Sequence, residues 1–359
     1  MAKLRMGYVG CGFMAQKVHI PNLLALEEEC ELVALAELRP VLGRKVQARY
    51  GIPRLYADHG QFAEDRNIDA VAVSGHYASQ GDIAVDLLMA GKDVFMEKPM
   101  AVSVSQANRI LEAERASGRR LMLGYMKRYD QGNLLAKRMV RQFRETGELG
   151  RLTYMRNHGF GGDWIGGLDT PFDATDESYP EVSSTPWPEW LPEAHRTGYI
   201  GYLQQYTHNV NLLRWFADAG ADVKVKSALI DPGDGLSGVA VLEVNGIRSV
   251  IESGNVSHHG WDEHTQIYFE NGWVRSDSPS LLQKNANARV EIYTGAQGEK
   301  TVSRPFPQHG YLWPYKEELR HFIRAVKEGT PFESPASDSY HDIRVIEDIY
   351  KRHLGIAAE

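Results

Sequence analysis

The chain has 359 residues, 43% of them hydrophobic and 24% charged, with 40 basic against 47 acidic side chains for a net charge of −7. That is ample material for a packed core in two domains and excludes a disordered polypeptide, while a mildly acidic chain without a basic block argues against nucleic acid or an anionic membrane as partner. Two cysteines, Cys11 and Cys30, exclude a disulfide framework or a four-thiolate zinc site; no apolar run approaches a membrane span, no signal peptide precedes the first strand-like run, and the expected setting is a reducing cytoplasm.

The first third alternates strand and helix. Lys3–Val9 is a short apolar strand, followed by a glycine turn and a helical stretch to about Glu28. Glu31–Ala36, Ile68–Ser74, Asp93–Met96 and Leu121–Gly124 read as further buried strands. Between them, Ile83, Leu87 and Leu88 mark one helix face ended by Gly91, and Ile110, Leu111 and Glu114 mark another ended by Gly118. Such alternation over about 120 residues predicts a doubly wound parallel sheet. The pattern changes near residue 125. Leu134, Leu135, Met139 and Phe143 predict a helix stopped by Gly147, and Arg151–Gly159 a strand. Residues 160–200 have no period and are rich in Gly, Pro, Trp and acids, a composition typical of a long functional loop. Gly201–Phe216 is helical. Val223–Val302 carries short strands separated by turn signals such as Asn245-Gly246 and Asn271-Gly272, which predicts antiparallel hairpins. Two helices, 314–328 and 338–354, close the chain. These patterns divide the chain into an α/β domain over 1–124 and a second domain over 125–359 that carries helices and an antiparallel sheet of hairpins.

Three motifs carry chemistry. The first is Gly10-x-Gly12-x-x-Ala15 between strand and helix. The first glycine permits a tight turn, the second lets backbone approach a pyrophosphate, and a small third residue lets helix and strand pack closely. With Phe13 and Met14 this loop is the expected phosphate cradle. Glu37 ends the second strand 22 residues past Ala15, where an acid binds the adenosine ribose hydroxyls and repels a 2′-phosphate. NAD is therefore the expected cofactor, with NADP the second candidate because Arg39 stands close to Glu37. Ser74, His76 and Gln80, at and after the end of a later strand, join the expected cofactor contacts.

The second motif is Ala90–Pro99, in which a strand delivers Glu97-Lys98-Pro99 at its C-terminal end, the edge where open α/β sheets bind ligands. An ammonium there stabilises the charge that develops on the oxygen of an alcohol losing hydride, and it can share the proton. The glycine loop, His19-Ile20-Pro21, Ala90–Pro99, Arg128-Tyr129-Asp130 and a later helix carrying His208 together resemble the Gfo/Idh/MocA oxidoreductases, the glucose–fructose oxidoreductase and inositol dehydrogenase type, nearly end to end. The resemblance implies an N-terminal Rossmann dinucleotide-binding domain over 1–124 and a C-terminal α+β domain over 125–359 with a large open, mostly antiparallel sheet, the last helix packing back on the first domain. It also implies hydride transfer between NAD(P) and a secondary hydroxyl or carbonyl of a sugar, sugar derivative or cyclitol. It implies that Lys98 contacts the reacting oxygen and the cofactor, and that Glu97 borders the nicotinamide pocket.

The third motif is Gln204-x-x-x-His208. The two residues share one helix face, distinct from the Leu203, Tyr206, Val210 and Leu213 packing face. The family usually has Asp where this chain has Gln204. An Asp would hold the imidazole as a charged partner, whereas Gln only hydrogen-bonds, so the proton acceptor is either His208 or Lys98, with Gln204 orienting a hydroxyl. Arg128 and Tyr129 after the last Rossmann strand, Asn157 and His158 at the end of the next strand, and Trp164 in the long loop are the remaining expected substrate contacts. Asp163, Asp169, Trp187 and Trp190 belong to the same loop region. His258, His259 and His264 lack a carboxylate pattern and are not expected to bind metal. Two rival functions share these residues: a glycosidase or lyase that oxidises its sugar transiently and keeps its cofactor, and a non-catalytic dinucleotide sensor, supported only by Gln204. An open sheet with helices on one side predicts a homodimer or homotetramer that covers the other side.

Overall fold

The computed structural model describes residues 2–165, 172–180, 185–255, 260–295, 298, 300 and 301–356. The chain divides into two compact units, neither of them one continuous segment. The first comprises Met1–Tyr125, Asp169–Trp190 and Tyr315–Ile343; the second comprises Met126–Leu168, Leu191–Pro314 and Arg344–Glu359.

The first unit is a six-stranded parallel sheet of β1 (Leu4–Val9), β2 (Cys30–Ala36), β3 (Arg54–Tyr56), β4 (Ala70–Val73), β5 (Asp93–Glu97) and β6 (Leu121–Gly124), in the order β3-β2-β1-β4-β5-β6. The strand order reverses between β1 and β4, and such a switch point is where open sheets take their ligands. β4, β5 and β6 are buried throughout, as expected for parallel strands covered on both faces. The helices are α2 (Pro40–Tyr50), α3 (His59–Glu64), α4 (Tyr77–Met89) and α5 (Val104–Ser117). Gly118 caps α5 in the left-handed conformation, as its position predicts, and Gly91 beyond α4 has φ +81°. The helical stretch after the glycine turn is shorter than the sequence suggests: a π-helical turn, Ala15–His19, runs into α1 (Ile20–Leu24), and the chain turns before β2. A π turn shifts the helical phase by one residue, which a 3.6-residue pattern does not register.

The second unit is built on an eight-stranded sheet of β7 (Leu152–Gly161), β8 (Val223–Ile230), β9 (Gly238–Val244), β10 (Ile247–Asn255), β11 (Asp262–Phe269), β12 (Gly272–Ser278), β13 (Arg289–Thr294) and β14 (Thr301–Ser303). Its order is β14-β13-β12-β11-β7-β10-β9-β8, antiparallel everywhere except where β7 runs parallel to β10. The expected fold class is thus observed in both sheets. Asn245 (φ +50°) and Gly246 (φ +73°) form the tight β9–β10 turn, the backbone that an Asn-Gly pair favours. α6 (Gln131–Thr146) packs on β12 and β13, and α7 (Arg196–Ala217) packs on β7, β9 and β10. α8 (Pro314–Glu328) belongs to the first unit from Tyr315 on, while α9 (Ala336–His353) divides after Ile343 between the two. Among the described residues no helix is long and apolar enough to cross a membrane.

Candidate active site

At the C-terminal end of β1 the chain makes the turn that the glycine spacing demands. Gly10 has φ +99°, and a Cβ there would lie 2.5 Å from the Ser74 carbonyl oxygen, so only glycine fits. Gly12 differs: a Cβ would meet nothing within 4 Å, leaving open space above the backbone. Ala15 is fully buried at the start of the π turn, where only a small side chain lets helix and strand close up. Phe13 and Met14 are half-buried, and Tyr8 donates to the Ser74 hydroxyl at 2.7 Å. Glu37 lies beside the turn. Its carboxylate accepts the Cys11 N–H at 2.7 Å and the Arg39 Nε–H at 2.7 Å. These features fit a dinucleotide: a turn open for phosphate at Gly12, with an acid just past the end of the neighbouring strand β2. Arg39 is drawn onto Glu37 rather than standing clear of it. His76 caps α4, its Nδ1 accepting the Ala78 N–H at 3.3 Å, and burial pushes its pKa down, so it is neutral at physiological pH.

β5 ends in Glu97, and a cis peptide joins Lys98 to Pro99. Lys98 is half-buried and Glu97 only 6% exposed. Gln80, expected among the cofactor contacts, is 2% exposed; its amide donates to the carbonyls of Glu97 at 3.1 Å and Pro99 at 2.7 Å. It shapes the turn that carries Lys98. Glu97 turns its carboxylate inward as well: His19 Nε2 is 2.8 Å from Glu97 Oε1, and the Lys98 N–H reaches Oε2 at 3.2 Å. Glu318 on α8 completes a buried group whose ligand atoms all lie within 4.8 Å of one another. Both Glu318 oxygens lack a hydrogen-bond partner among the described residues, and burial, then the Glu97 charge, pushes its carboxyl well above the usual range. Geometrically the group offers three ligand atoms to a cation; a neutral Glu318 carboxyl satisfies it without one. The sequence carried a signal for Glu318, which falls on the same stripe as Tyr315, Leu319, Phe322 and Ile323.

In the second unit His208 lies on α7, 5% exposed, with Gln204 half-buried one turn earlier. The helix is buried on more faces than the expected packing stripe: Tyr202, Thr207 and Asn209 are buried too. Arg128 is 4% exposed and donates from Nε to Asn211 Oδ1 of α7 at 2.8 Å; its neighbour Tyr129 is buried beside it. Asn157 and His158 were expected to face one site together, but the period of β7 sends them to opposite sheet faces. Asn157 is fully buried under α7, accepting from Asn209 Nδ2 at 2.7 Å and donating to Thr265 at 2.8 Å. Lys127 pairs with Glu263 in the same network. On the other face His158 Nδ1 lies 2.6 Å from Glu252, and its ring stacks on His264 at 4.9 Å. His258, His259 and Asp169 lie outside the described residues. Trp164 and Asp163 line a cleft of about 900 Å³ wholly within this unit, with Trp261, Asp277 and Arg304; Trp187 and Trp190 are half-buried.

Comparison with known proteins points the same way. Residues 4–125 match the family described as an oxidoreductase family with an NAD-binding Rossmann fold. The chain is 27% identical over 346 residues to an inositol 2-dehydrogenase of Burkholderia vietnamiensis, covering 94% of this chain and 90% of that protein. It is 25% identical to a myo-inositol 2-dehydrogenase of Thermotoga maritima, covering 91% and 90%. The fold is similar to that of an aldose-aldose oxidoreductase of Caulobacter crescentus, solved with glycerol, at a TM-score of 0.75 and 19% identity over 99% and 98% of the two chains.

Proposed function

We propose that the chain is an NAD(P)-dependent dehydrogenase acting on a secondary hydroxyl of a sugar or cyclitol, or reducing the matching carbonyl; the match of residues 4–125 to an oxidoreductase family with an NAD-binding Rossmann fold and the similarity to inositol 2-dehydrogenases support this reading. The observation that carries this is the placement of Lys98 at the C-terminal end of β5, in the same parallel sheet as the glycine turn and on the far side of its switch point. The relatives named inositol 2-dehydrogenase favour a cyclitol among the substrates.

When bound, the nicotinamide takes or gives the hydride. The rest falls to side chains. Gly12 admits the phosphates and Glu37 holds the ribose hydroxyls. A carboxylate at that point repels a 2′-phosphate, and Arg39 is already neutralised by the same carboxylate, so NAD is preferred to NADP. Lys98 sets its ammonium against the reacting oxygen and stabilises the alkoxide that forms as the proton leaves. His208 accepts that proton, a role that rests on the family resemblance. Gln80 and Glu97 hold the turn under Lys98 and touch no substrate. The second sheet displays Tyr154, His158, Tyr268 and Trp273 on one face, which suits a homodimer or homotetramer; a monomeric mass in light scattering would count against that assembly.

The test is turnover of a polyol panel, myo-inositol included, with NAD and NADP side by side, for the native protein and Lys98→Ala. The expected result is NAD-linked oxidation that falls by at least about a hundredfold in kcat on substitution. Turnover within about threefold of native would remove Lys98 from the chemistry.

A further inference from the structure

Residues 172–179 have no regular structure, yet five of the eight, Phe172, Asp173, Ala174, Glu177 and Tyr179, contact the nucleotide-side elements of the same unit. Gln16 of the π turn clasps Asp173 twice: its amide donates to the Asp173 carbonyl at 3.0 Å and its oxygen accepts the Asp173 N–H at 2.7 Å. Arg49 of α2 pairs with the Asp173 carboxylate at 2.7 Å. Lys45 donates to the Ala174 carbonyl at 2.9 Å. Glu177 accepts the Val41 and Leu42 N–H groups at 3.0 Å, capping α2, and Thr175 donates to it at 2.9 Å. Phe172 packs edge-on to Phe13 of the glycine loop at 6.2 Å. The segment is thus a strap running from the glycine-loop helix along α2.

The strap delivers Tyr179 to a particular place. The Arg39 guanidinium lies 5.1 Å from the Tyr179 ring centroid, and the His76 ring lies 6.0 Å from it, tilted by 38°. His76 in turn leans on Tyr77 at 4.1 Å. Arg39 follows the ribose-binding acid at the end of β2, and His76 follows the end of β4. A dinucleotide with its phosphates at Gly12 and its adenosine ribose at Glu37 would carry its adenine outward past these two ends. Three planar groups therefore converge where the base would arrive, and one of them, Tyr179, is contributed by the strap. The ring is 41% exposed. A phenol this exposed adds little to the core, and its two neighbours are a cation and a neutral imidazole, surfaces on which a purine also stacks.

We infer that Tyr179, held by the 172–179 strap, is the outer wall of the adenine subsite and slows release of the cofactor. The inference rests on the dinucleotide reading above. Nothing in the glycine motif requires this wall; it is added by the irregular segment 172–179.

The experiment is fluorescence titration and stopped-flow displacement of NADH on the intact protein, with Tyr179→Ala, Tyr179→Phe and Glu177→Gln, and AMP and nicotinamide mononucleotide as fragment probes. Loss of one base-stacking partner is expected to weaken NADH and AMP by about tenfold in Tyr179→Ala, mostly through faster release. Nicotinamide mononucleotide binding stays as in the native protein, and Tyr179→Phe, which keeps the ring, stays close to native. Glu177→Gln, which loosens the strap from α2, is expected to hasten NADH release in the same direction. Native-like NADH affinity and release in Tyr179→Ala would overturn the inference while leaving the dinucleotide reading intact. Tighter binding would overturn it too, by showing that the phenol occupies the base's own position. If the native protein binds neither NADH nor AMP, the underlying reading fails first.

Discussion

The two glycines of the phosphate turn respond to the same substitution in opposite ways. Gly10→Ala places an L-residue at φ +99° with its Cβ 2.5 Å from the Ser74 carbonyl oxygen. The left-handed backbone alone costs about 1–2 kcal/mol, and relieving the contact must push β1 and β4 apart, so a total loss of about 2–4 kcal/mol is expected. Gly12→Ala meets nothing within 4 Å and lies outside the left-handed region, so the fold should not notice it. The open space it fills is the space a pyrophosphate needs. Losing one backbone contact to a charged phosphate costs about 1.5–3 kcal/mol, which is roughly ten- to a hundredfold in affinity. Thermal unfolding followed by circular dichroism, with NADH titration on the same samples, separates the two effects. Gly10→Ala should melt several degrees lower; Gly12→Ala should melt with the native protein and bind NADH weakly. Native affinity in Gly12→Ala would mean that no phosphate approaches this turn, and the nucleotide reading of the loop would have to be abandoned.

Two further outcomes concern acids, the half-buried Glu114 and the fully buried Glu318. Burial raises the Glu114 carboxyl from 4.5 to about 7 although it accepts the Leu121 N–H at 2.6 Å. The folded state then holds a proton that the unfolded chain has released, so stability falls as pH rises from 4.5 to about 7 and levels off above. At about 1.4 kcal/mol per pH unit the drop is of order 3 kcal/mol. Glu114→Gln keeps the acceptor and should flatten that part of the stability-against-pH curve; an unchanged slope in urea titrations across the window would refute the assignment. Glu318, fully buried against Glu97, is read as a neutral carboxyl, so Glu318→Gln should cost less than about 1 kcal/mol. A loss above about 3 kcal/mol in the same titration would show that the site needs its charge.

The first sheet was legible because parallel strands are continuous apolar runs: five of its six strands stand out in the sequence, and only β3, three half-buried residues, carries no such run. The glycine turn and the Glu-Lys-Pro strand end were legible because backbone geometry fixes their residue types. What escaped depends on contacts between distant residues. Gln80 reads as a helix residue near a ligand edge and turns out to brace two carbonyls from β5 and the turn after it. Asn157 and His158 are adjacent in sequence and divided by the pleat. The aperiodic stretch after residue 160 invited a functional reading, yet nothing in its composition says that Glu177 caps a helix more than a hundred residues earlier.

The first unit also constrains the order in which it can be completed. Its sheet edge is finished by a return of the chain: Leu123 N–H donates to the Ser334 carbonyl at 2.9 Å, the Ser334 hydroxyl donates back to Leu123 at 2.6 Å, and Arg120 reaches the carbonyls of Thr330 and Ala325. Phe322 then closes over Phe95, and Phe332 lies under the Arg120 guanidinium. A growing polypeptide that has emerged only as far as Tyr125 therefore carries all six strands but exposes one apolar flank, with His19 and Glu97 still awaiting Glu318. At about 5–20 residues per second of synthesis, that flank stays uncovered until the region around residues 315–343 has left the ribosome. The nucleotide-binding unit is begun first and sealed only near the end of synthesis, so the interval between is when chaperones, or premature binding of its own cofactor, have most influence on whether it folds.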